Sequence, residues 1–302
     1  MQKKESLLEK YNIPTKKYVD IETGEVKTGV VTETKYIEQN LKAIEEKQNK
    51  AAWRKKRTEN RIAYNELARG KGYYFFKYVS ANDIDYALLF RFLYLCTYAN
   101  NDSFISFKKS YIREHELNLV FSNMHQNTVS QLKSDLLNTG LITIENNRVK
   151  VNDILYSKYT LDKKDYNKAT RVFINGIRAL YDNSLCSQHK DIGKIVPLLQ
   201  YMHKDYNILC YEVDELDKTR ITPLTLTEIC KILGYYPTNI TRLRRKLINI
   251  KVDDKPLIMN VVHAKLDGFV INPMVFYKGT NIDIINEIKK FSTNDYFELK
   301  NK

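Results

Sequence analysis

Blocks of apolar and polar residues along this chain predict a succession of short helices and strands. Residues 34–68 contain neither Gly nor Pro and carry a thin apolar stripe at helical spacing, which predicts one long helix. The polar residues 1–34 hold a Thr-Gly turn between β-prone runs and predict a small hairpin or loose arm. The aromatic run at 73–76 predicts a buried strand that opens a compact domain.

The pattern between residues 84 and 152 has the element order of a winged helix. An almost continuous apolar run predicts a central helix, and a hairpin with an Asn-rich turn closes the block. The predicted elements are a helix over 84–102, a strand at 104–107, a helix around 109–117, a helix over 124–138 and a hairpin at 141–144 and 149–152.

The same element order returns in the second half of the chain. Each predicted hairpin ends in an apolar residue followed by Asn, at Val151-Asn152 and Ile271-Asn272, which favours a duplicated module. The predicted elements are a helix over 191–204 kinked at Pro197, a strand at 207–211, a helix over 226–233 capped by Thr225 with Glu228, a helix over 238–248, and a hairpin at 257–262 and 269–273 around a turn at 266–268.

We therefore predict an α+β fold, mainly α, with two tandem winged-helix (helix-turn-helix) domains behind an N-terminal helical arm. The predicted domains are 1–71 for the hairpin or arm and the long basic helix, 72–165 for the first winged helix, 166–282 for the second, and 283–302 for a C-terminal helix or tail.

The net charge and its distribution along the chain indicate the class of binding partner. The 302 residues include 49 basic and 36 acidic ones, a net charge of +13, which makes a polyanion the expected partner class. The excess is concentrated in residues 50–72 and in residues 238–251, where no acidic residue interrupts Arg242, Arg244 and Arg245. Clusters of this density favour a binding surface over evenly spread solubilising charge.

Composition also limits the cellular setting. No stretch approaches 18 consecutive apolar residues, and the residues after Met1 lack the apolar run of a signal peptide, so we expect a cytoplasmic protein with no membrane partner. The cysteines form no CxxC pair, and we expect all of them to be reduced core thiols. They are Cys96, Cys186, Cys210 and Cys230.

The second module carries the sharpest local signal, an apolar helix, a Gly-containing turn and a basic amphipathic helix. In this arrangement polar residues at the start of the second helix reach base edges in the major groove, and arginines reach bases or phosphates. A basic solvated helix used only for protein contacts is the alternative. The candidate DNA-binding residues here are Thr238, Asn239, Thr241, Arg242, Arg244 and Arg245, with His263 and Lys265 in the wing.

The first module and the arm supply further candidates. Amide and hydroxyl side chains of the equivalent helix can contact bases, although they are also ordinary surface residues, and a wing arginine can contact a phosphate. The basic run of the long helix either tracks phosphates or is a solvated face. These candidates are His125, Gln126, Asn127, Thr128, Gln131 and Arg148 in the module, and Arg54, Lys55 and Arg57 in the arm.

The sequence offers little for catalysis. It contains no HxH pair, HExxH motif, GxxxxGK[ST] loop or GxSxG elbow, and no tyrosine has a recognisable Arg or His partner for nucleophilic chemistry. We therefore expect no enzyme activity, metal, cofactor or small-molecule ligand. A nucleic-acid-processing enzyme and a protein-only adaptor stay open as alternatives of another class.

Four further segments within residues 72–280 accompany the two winged-helix patterns. They are Phe75-Phe76-Lys77, residues 171–173 through 178–181, residues 221–225, and residues 270–273 ending in Tyr277-Lys278-Gly279. Together these features resemble plasmid and prophage winged-helix proteins of low-GC Gram-positive bacteria, a group that includes replication initiators of the replication protein L type and phage regulators. The resemblance implies double-stranded DNA as the partner. It implies transcriptional regulation, as by a repressor, as the leading role, with initiation at origin repeats as the alternative, and a homodimer is open.

Overall fold

The fold is mixed α+β, with helices and small antiparallel sheets. Contacts divide this computed structural model into two units, Met1–Arg61 and Ile62–Lys302. The predicted C-terminal helix or tail at 283–302 lies outside the residues that the structure describes. Those residues are 15–20, 22–30, 34–70, 72–78, 84–158, 161–162, 165, 168–217, 220–263 and 266–279.

The first unit contains the predicted hairpin and most of the predicted long helix, up to Arg61. Strand β1 (Thr15–Val19) pairs antiparallel with β2 (Val26–Val30). The connecting turn uses Gly24 at φ +68°, a backbone conformation that glycine adopts without steric cost. Helix α1 (Thr34–Gly70) ends at Gly70, the first glycine after the long run without Gly or Pro. No helix among the described residues combines the length and the apolar character that crossing a bilayer requires.

A four-stranded antiparallel sheet lies at the centre of the second unit. Its strand order is β14 (Phe276–Tyr277), β9 (Ala169–Phe173), β3 (Tyr73–Lys77) and β8 (Tyr156–Ser157). Each half of the unit therefore contributes one inner and one outer strand, and the two inner strands join the halves.

Between these strands each half repeats one order of elements: helices, then a β-hairpin. The first half contains α2 (Tyr86–Cys96), β4 (Ser106–Phe107), β5 (Ser110–Tyr111), a 3₁₀ helix (Glu114–Leu119), α3 (Gln126–Asn138), β6 (Ile142–Glu145) and β7 (Arg148–Val151). The second half contains α4 (Ile174–Asp182), a 3₁₀ helix (Cys186–Gln188), α5 (His189–Gly193), a 3₁₀ helix (Val196–Tyr201), α6 (Leu226–Ile232), a 3₁₀ helix (Pro237–Asn239), α7 (Ile240–Ile248), β10 (Lys251–Val252), β11 (Lys255–Pro256), β12 (Ile258–His263) and β13 (Leu266–Ile271).

The two asparagines at the hairpin ends make the same hydrogen bonds. The Nδ2 of Asn152 donates to the carbonyl of Gly140 (2.9 Å), and its Oδ1 accepts from the amide of Ile154 (2.9 Å). The Nδ2 of Asn272 donates to the carbonyl of Pro256 (3.2 Å), and its Oδ1 accepts from the amide of Met274 (2.9 Å). A shared network of this detail supports duplication of one module.

These bonds predict a stability loss at each asparagine. Asn272 is fully buried, so Asn272→Ala leaves a half-buried carbonyl and amide without their partners and should lower the free energy of unfolding by about 1–3 kcal/mol in urea denaturation. Asn152→Ala should cost less, because Asn152 is only half-buried. Ser130→Ala, at an exposed helix position, is the control and should change stability little. Equal, negligible losses for both asparagine variants would contradict this account.

An approximate twofold axis relates the two halves through the sheet. Strands β3 and β9 pair symmetrically about Phe75 and Arg171. The outer strands join at matching places, because Phe76 faces Tyr156 on one side and Val172 faces Phe276 on the other. The axis therefore passes between the two inner strands and exchanges the modules.

Both halves share one hydrophobic core. Helix α2 is buried on almost every side, as expected for a helix whose sequence is apolar all round. The core cluster includes Phe92 and Leu132 from the first half, and Leu199 and Leu247 from the second. The predicted boundary at 165/166 falls between strands that belong to one sheet, and it stays a prediction as a domain boundary.

Several predicted elements differ from those observed. The helix expected around 109–117 is strand β5 followed by the 3₁₀ helix. The single helix expected over 191–204 is α5 followed by a separate 3₁₀ helix, with Pro197 near the start of the second. Gly193 ends α5, where an added Cβ would lie 1.7 Å from the carbonyl oxygen of Tyr86.

Two further expectations are wrong. Residues 266–268 belong to strand β13 instead of a turn, because the pairing with β12 continues to His263 opposite Leu266. Cys186 is exposed, whereas Cys96, Cys210 and Cys230 are buried as expected, and all four are free thiols. Cys186 begins a short 3₁₀ helix on the surface, which its sequence neighbours did not indicate.

Candidate nucleic-acid interface

Helices α6 and α7 follow each other across a short turn, and local bonds fix the ends of α6. The Thr225 hydroxyl accepts from the Glu228 amide (3.3 Å), and the Glu228 carboxylate accepts from the Thr225 amide (2.7 Å), which forms the predicted capping box. This hydroxyl and this amide lower the pKa of Glu228. Gly234, at φ +69°, ends α6 and directs the chain toward α7.

Helix α7 buries one side and exposes its cations. Leu243 and Leu247 are buried in the core, and Ile240 packs against it. None of the three arginines forms an ion pair with a residue that the structure describes, so all three guanidinium groups are available to an anion. The exposed predicted residues here are Thr238, Thr241, Arg242, Arg244 and Arg245, while Asn239, directly before α7, is half-buried.

An ion triad around the buried Lys194 attaches α7 to α5. The Asp191 carboxylate accepts from the Nζ of Lys246 on α7 (2.8 Å) and from the Nζ of Lys194, which is only 2% exposed. The Lys194 ammonium also lies 4.9 Å from the centre of the Tyr235 ring. Burial raises the pKa of Asp191, but the bonds from the two lysines outweigh it and lower that pKa. Lys246 is thus held inward, unlike its three arginine neighbours.

The first module presents neutral polar side chains at the corresponding helix. His125 caps α3 by accepting from the amide of Asn127 (3.4 Å). The Nε2 of Gln131 donates to Asp135 within the same helix (2.8 Å), which leaves its carbonyl oxygen for another partner. The exposed predicted residues are His125, Gln126, Asn127, Thr128 and Gln131.

The first wing carries its cation beside an aromatic ring. Asn146 and Asn147, at φ +52° and +59°, form the tight turn between β6 and β7. Arg148 follows them and places its guanidinium 4.5 Å from the centre of the Tyr111 ring. In the second wing, Lys265 lies outside the described residues, and only the backbone of His263 is described.

The arm residues lie together on the exposed part of α1. Arg54, Lys55 and Arg57 are all exposed, and the Arg57 guanidinium lies 5.4 Å from the centre of the exposed Trp53 ring. This part of the chain belongs to the first unit.

Comparison of the chain with protein-family models, curated proteins and solved structures finds no match. Arguments about function therefore rest on the geometry of the chain itself. Among the described residues, no group of three or more His, Cys, Asp or Glu side chains is placed to hold a metal ion.

Sequence reasoning missed three exposed groups near these helices. Tyr236, in the turn between α6 and α7, is 78% exposed. Lys108 and Lys109 form the turn between β4 and β5 at φ +48° and +71°. No dependable sequence signal marks two adjacent non-glycine residues with positive φ. The sequence instead predicted that a helix begins at Lys109. Tyr236 is the last residue of a Gly-Tyr-Tyr run in which Tyr235 alone packs on the core.

Proposed function

We propose that this chain binds double-stranded DNA sequence-specifically through two tandem winged helices. The observation that carries the proposal is α7, whose apolar side is buried while three unpaired arginines extend from its exposed sides. Phosphates and guanine edges are the partners that arginines in this setting fit best. Duplication of the same helix-helix-hairpin order supports two DNA-contacting modules in one chain.

The twofold relation between modules bears on the shape of the DNA site. Two helices exchanged by a twofold axis contact half-sites of opposite orientation. The first helix is amide-rich and the second arginine-rich, so the two half-sites should differ in sequence. The expected target is therefore an inverted pair of unlike half-sites.

The leading biological role is transcriptional regulation, as by a repressor of a phage or plasmid, and replication initiation is the alternative. Paired modules fit a bipartite operator and an origin repeat equally well. Mapping of bound sites in the cell separates the two roles. Scattered promoters favour a regulator, and iterated repeats next to the chain's own gene favour an initiator.

Base contacts at α7 are tested on a site selected from random duplexes by the full chain. Asn239→Ala and Arg242→Ala should each weaken binding to the selected site by about 1–3 kcal/mol and binding to random DNA much less. Equal losses on both DNAs would reassign the residue to a phosphate. The absence of salt-dependent affinity for any duplex would contradict the proposal and favour a protein-only adaptor.

A further inference from the structure

In each half, a short segment is joined to the β-hairpin by isolated backbone bridges, and an excursion of the chain interrupts this segment. In the first half, the amide of Ile105 donates to the carbonyl of Val149 (2.9 Å), and the amide of Val149 donates to the carbonyl of Ile112 (3.1 Å). Ile112 in turn donates to Ile105 (3.0 Å). Residues 106–111 therefore leave the hairpin after Ile105 and return to it at Ile112, where both residues bond Val149. We call residues 106–111 the first excursion.

The second half contains the equivalent feature. The amide of Leu209 donates to the carbonyl of Phe269 (2.8 Å), and the amide of Leu224 donates to the carbonyl of Leu209 (2.8 Å). The described residues 210–217 and 220–223 leave and return as 106–111 do, and we call the segment 210–223 the second excursion. The repeated bonds show that the two excursions occupy equivalent places in the duplicated module.

The two excursions carry opposite charge. The first contains Lys108 and Lys109 and no acid. Both lysines are exposed, and neither forms an ion pair with a described residue. The second contains four acids against two basic residues, Lys218 and Arg220. The acids are Glu212, Asp214, Glu215 and Asp217.

Exposed apolar side chains accompany these charges. Leu216, among the four acids, is 76% exposed, and Tyr211 at the start of the same excursion is 52% exposed. Tyr111 is the corresponding exposed aromatic residue of the first excursion. Apolar groups displayed within a charged rim are typical of surfaces that contact another protein.

The second excursion is held in one shape by bonds to the module beneath it and by a bond within itself. In the second, the buried His203 ring bonds the carbonyl of Glu215 (2.8 Å), and the amide of Lys204 donates to the carbonyl of Val213 (3.0 Å). The amide of Thr222 donates to the Glu212 carboxylate (3.0 Å). A surface fixed in advance loses little conformational freedom when it binds.

We propose that the first excursion of one copy of this chain docks on the second excursion of another copy. Opposite charge at equivalent places makes such a contact favourable between unlike excursions and unfavourable between like ones. The contact is therefore heterologous, and each copy offers one excursion of each charge. Copies joined in this way form a head-to-tail row.

Charge reversal tests this proposal on the full chain without DNA. One variant carries Lys108→Glu and Lys109→Glu, and the other carries Asp214→Lys and Asp217→Lys. Sedimentation velocity over a 100-fold range of concentration should detect association of the unaltered chain that weakens from 50 to 500 mM salt, since exposed ion pairs are screened. Each variant alone should associate at least tenfold more weakly.

The mixture of the two variants gives the decisive result. In an equimolar mixture, the new glutamates of one variant can face the new lysines of the other. The charges are then opposite again, so the mixture should regain association. Lys55→Glu with Lys56→Glu on the exposed part of α1 is the control with the same charge change, and it should leave association unaltered. Thermal unfolding checks that every variant is folded.

Other outcomes overturn the proposal. A mixture that stays as weakly associated as its components, a control that weakens association equally, or an unaltered chain that stays monomeric at 50 mM salt each contradicts it. These results leave the DNA-binding proposal untouched, because the assay contains no DNA and the arginines of α7 are unchanged. Loss of DNA affinity in the lysine variant without any self-association would instead assign Lys108 and Lys109 to phosphates.

Discussion

Asp191→Ala is expected to lower the free energy of unfolding by about 3–5 kcal/mol, because it leaves a buried ammonium without its counter-charge. Lys194 is almost completely buried, and Asp191 is its ion-pair partner. The substitution also releases Lys246 and with it the attachment of α7 to α5. Urea denaturation of the full chain at pH 7 measures the loss.

Two comparisons sharpen this expectation. Adding Lys194→Met to Asp191→Ala removes the unpaired charge and should recover much of the lost stability.

The folded pKa of Asp191 lies below its unfolded value, so the stability that Asp191 contributes is present above the unfolded pKa and is lost as pH falls through the folded pKa. The gap between the unaltered chain and Asp191→Ala should therefore shrink in acid. A loss below 1 kcal/mol at pH 7 would show that the triad contributes little.

Replacing Arg242, Arg244 and Arg245 together with alanine should weaken binding to any duplex by about 100- to 1,000-fold at 0.1 M salt. Each phosphate contact that is lost should reduce the slope of log affinity against log salt concentration by about 0.9, so the slope should fall by up to about 2.7. Because all three side chains are exposed, stability should change little. Fluorescence anisotropy with a random-sequence duplex at several salt concentrations measures both quantities.

Arg220→Ala is the matched control for this experiment. Arg220 is an exposed arginine in the acidic second excursion and pairs with Asp217 (3.5 Å), so its loss should leave the salt slope unchanged. If the triple variant keeps the full slope, the cations that bind DNA lie elsewhere, and the exposed cations of α1 become the next candidates.

Local chemistry explains which parts of the fold were predictable. The capping box at Thr225, the glycine after α6 and the helical spacing of Leu243 and Leu247 act within a few residues, and each element formed where the pattern indicated. The repeated Asn at 152 and 272 signalled duplication because each side chain bonds backbone close to its own hairpin.

The errors arose where distant contacts decide the structure. Residues after Lys109 have helical spacing, but Ile112 bonds the backbone of Val149 in β7 and of Ile105, which keeps it out of a helix. The pairing partners of β9 lie far away in the sequence, and its residues gave no strand signal by themselves. At the candidate interface, the exposed arginines followed from periodicity, whereas the inward position of Lys246 depends on Asp191, a residue on another helix.

Under the proposed function, the sheet that joins the two halves makes this chain the equivalent of two winged helices fused into one polypeptide. Two separate winged helices must meet before they act on one site, so their joint affinity falls with dilution. Here the pairing of β3 with β9 fixes the partner permanently, and its effective concentration does not depend on how much protein the cell contains. Fusion also frees the halves from the identity that a homodimer imposes, which is why one half can keep an amide-rich helix while the other becomes cationic.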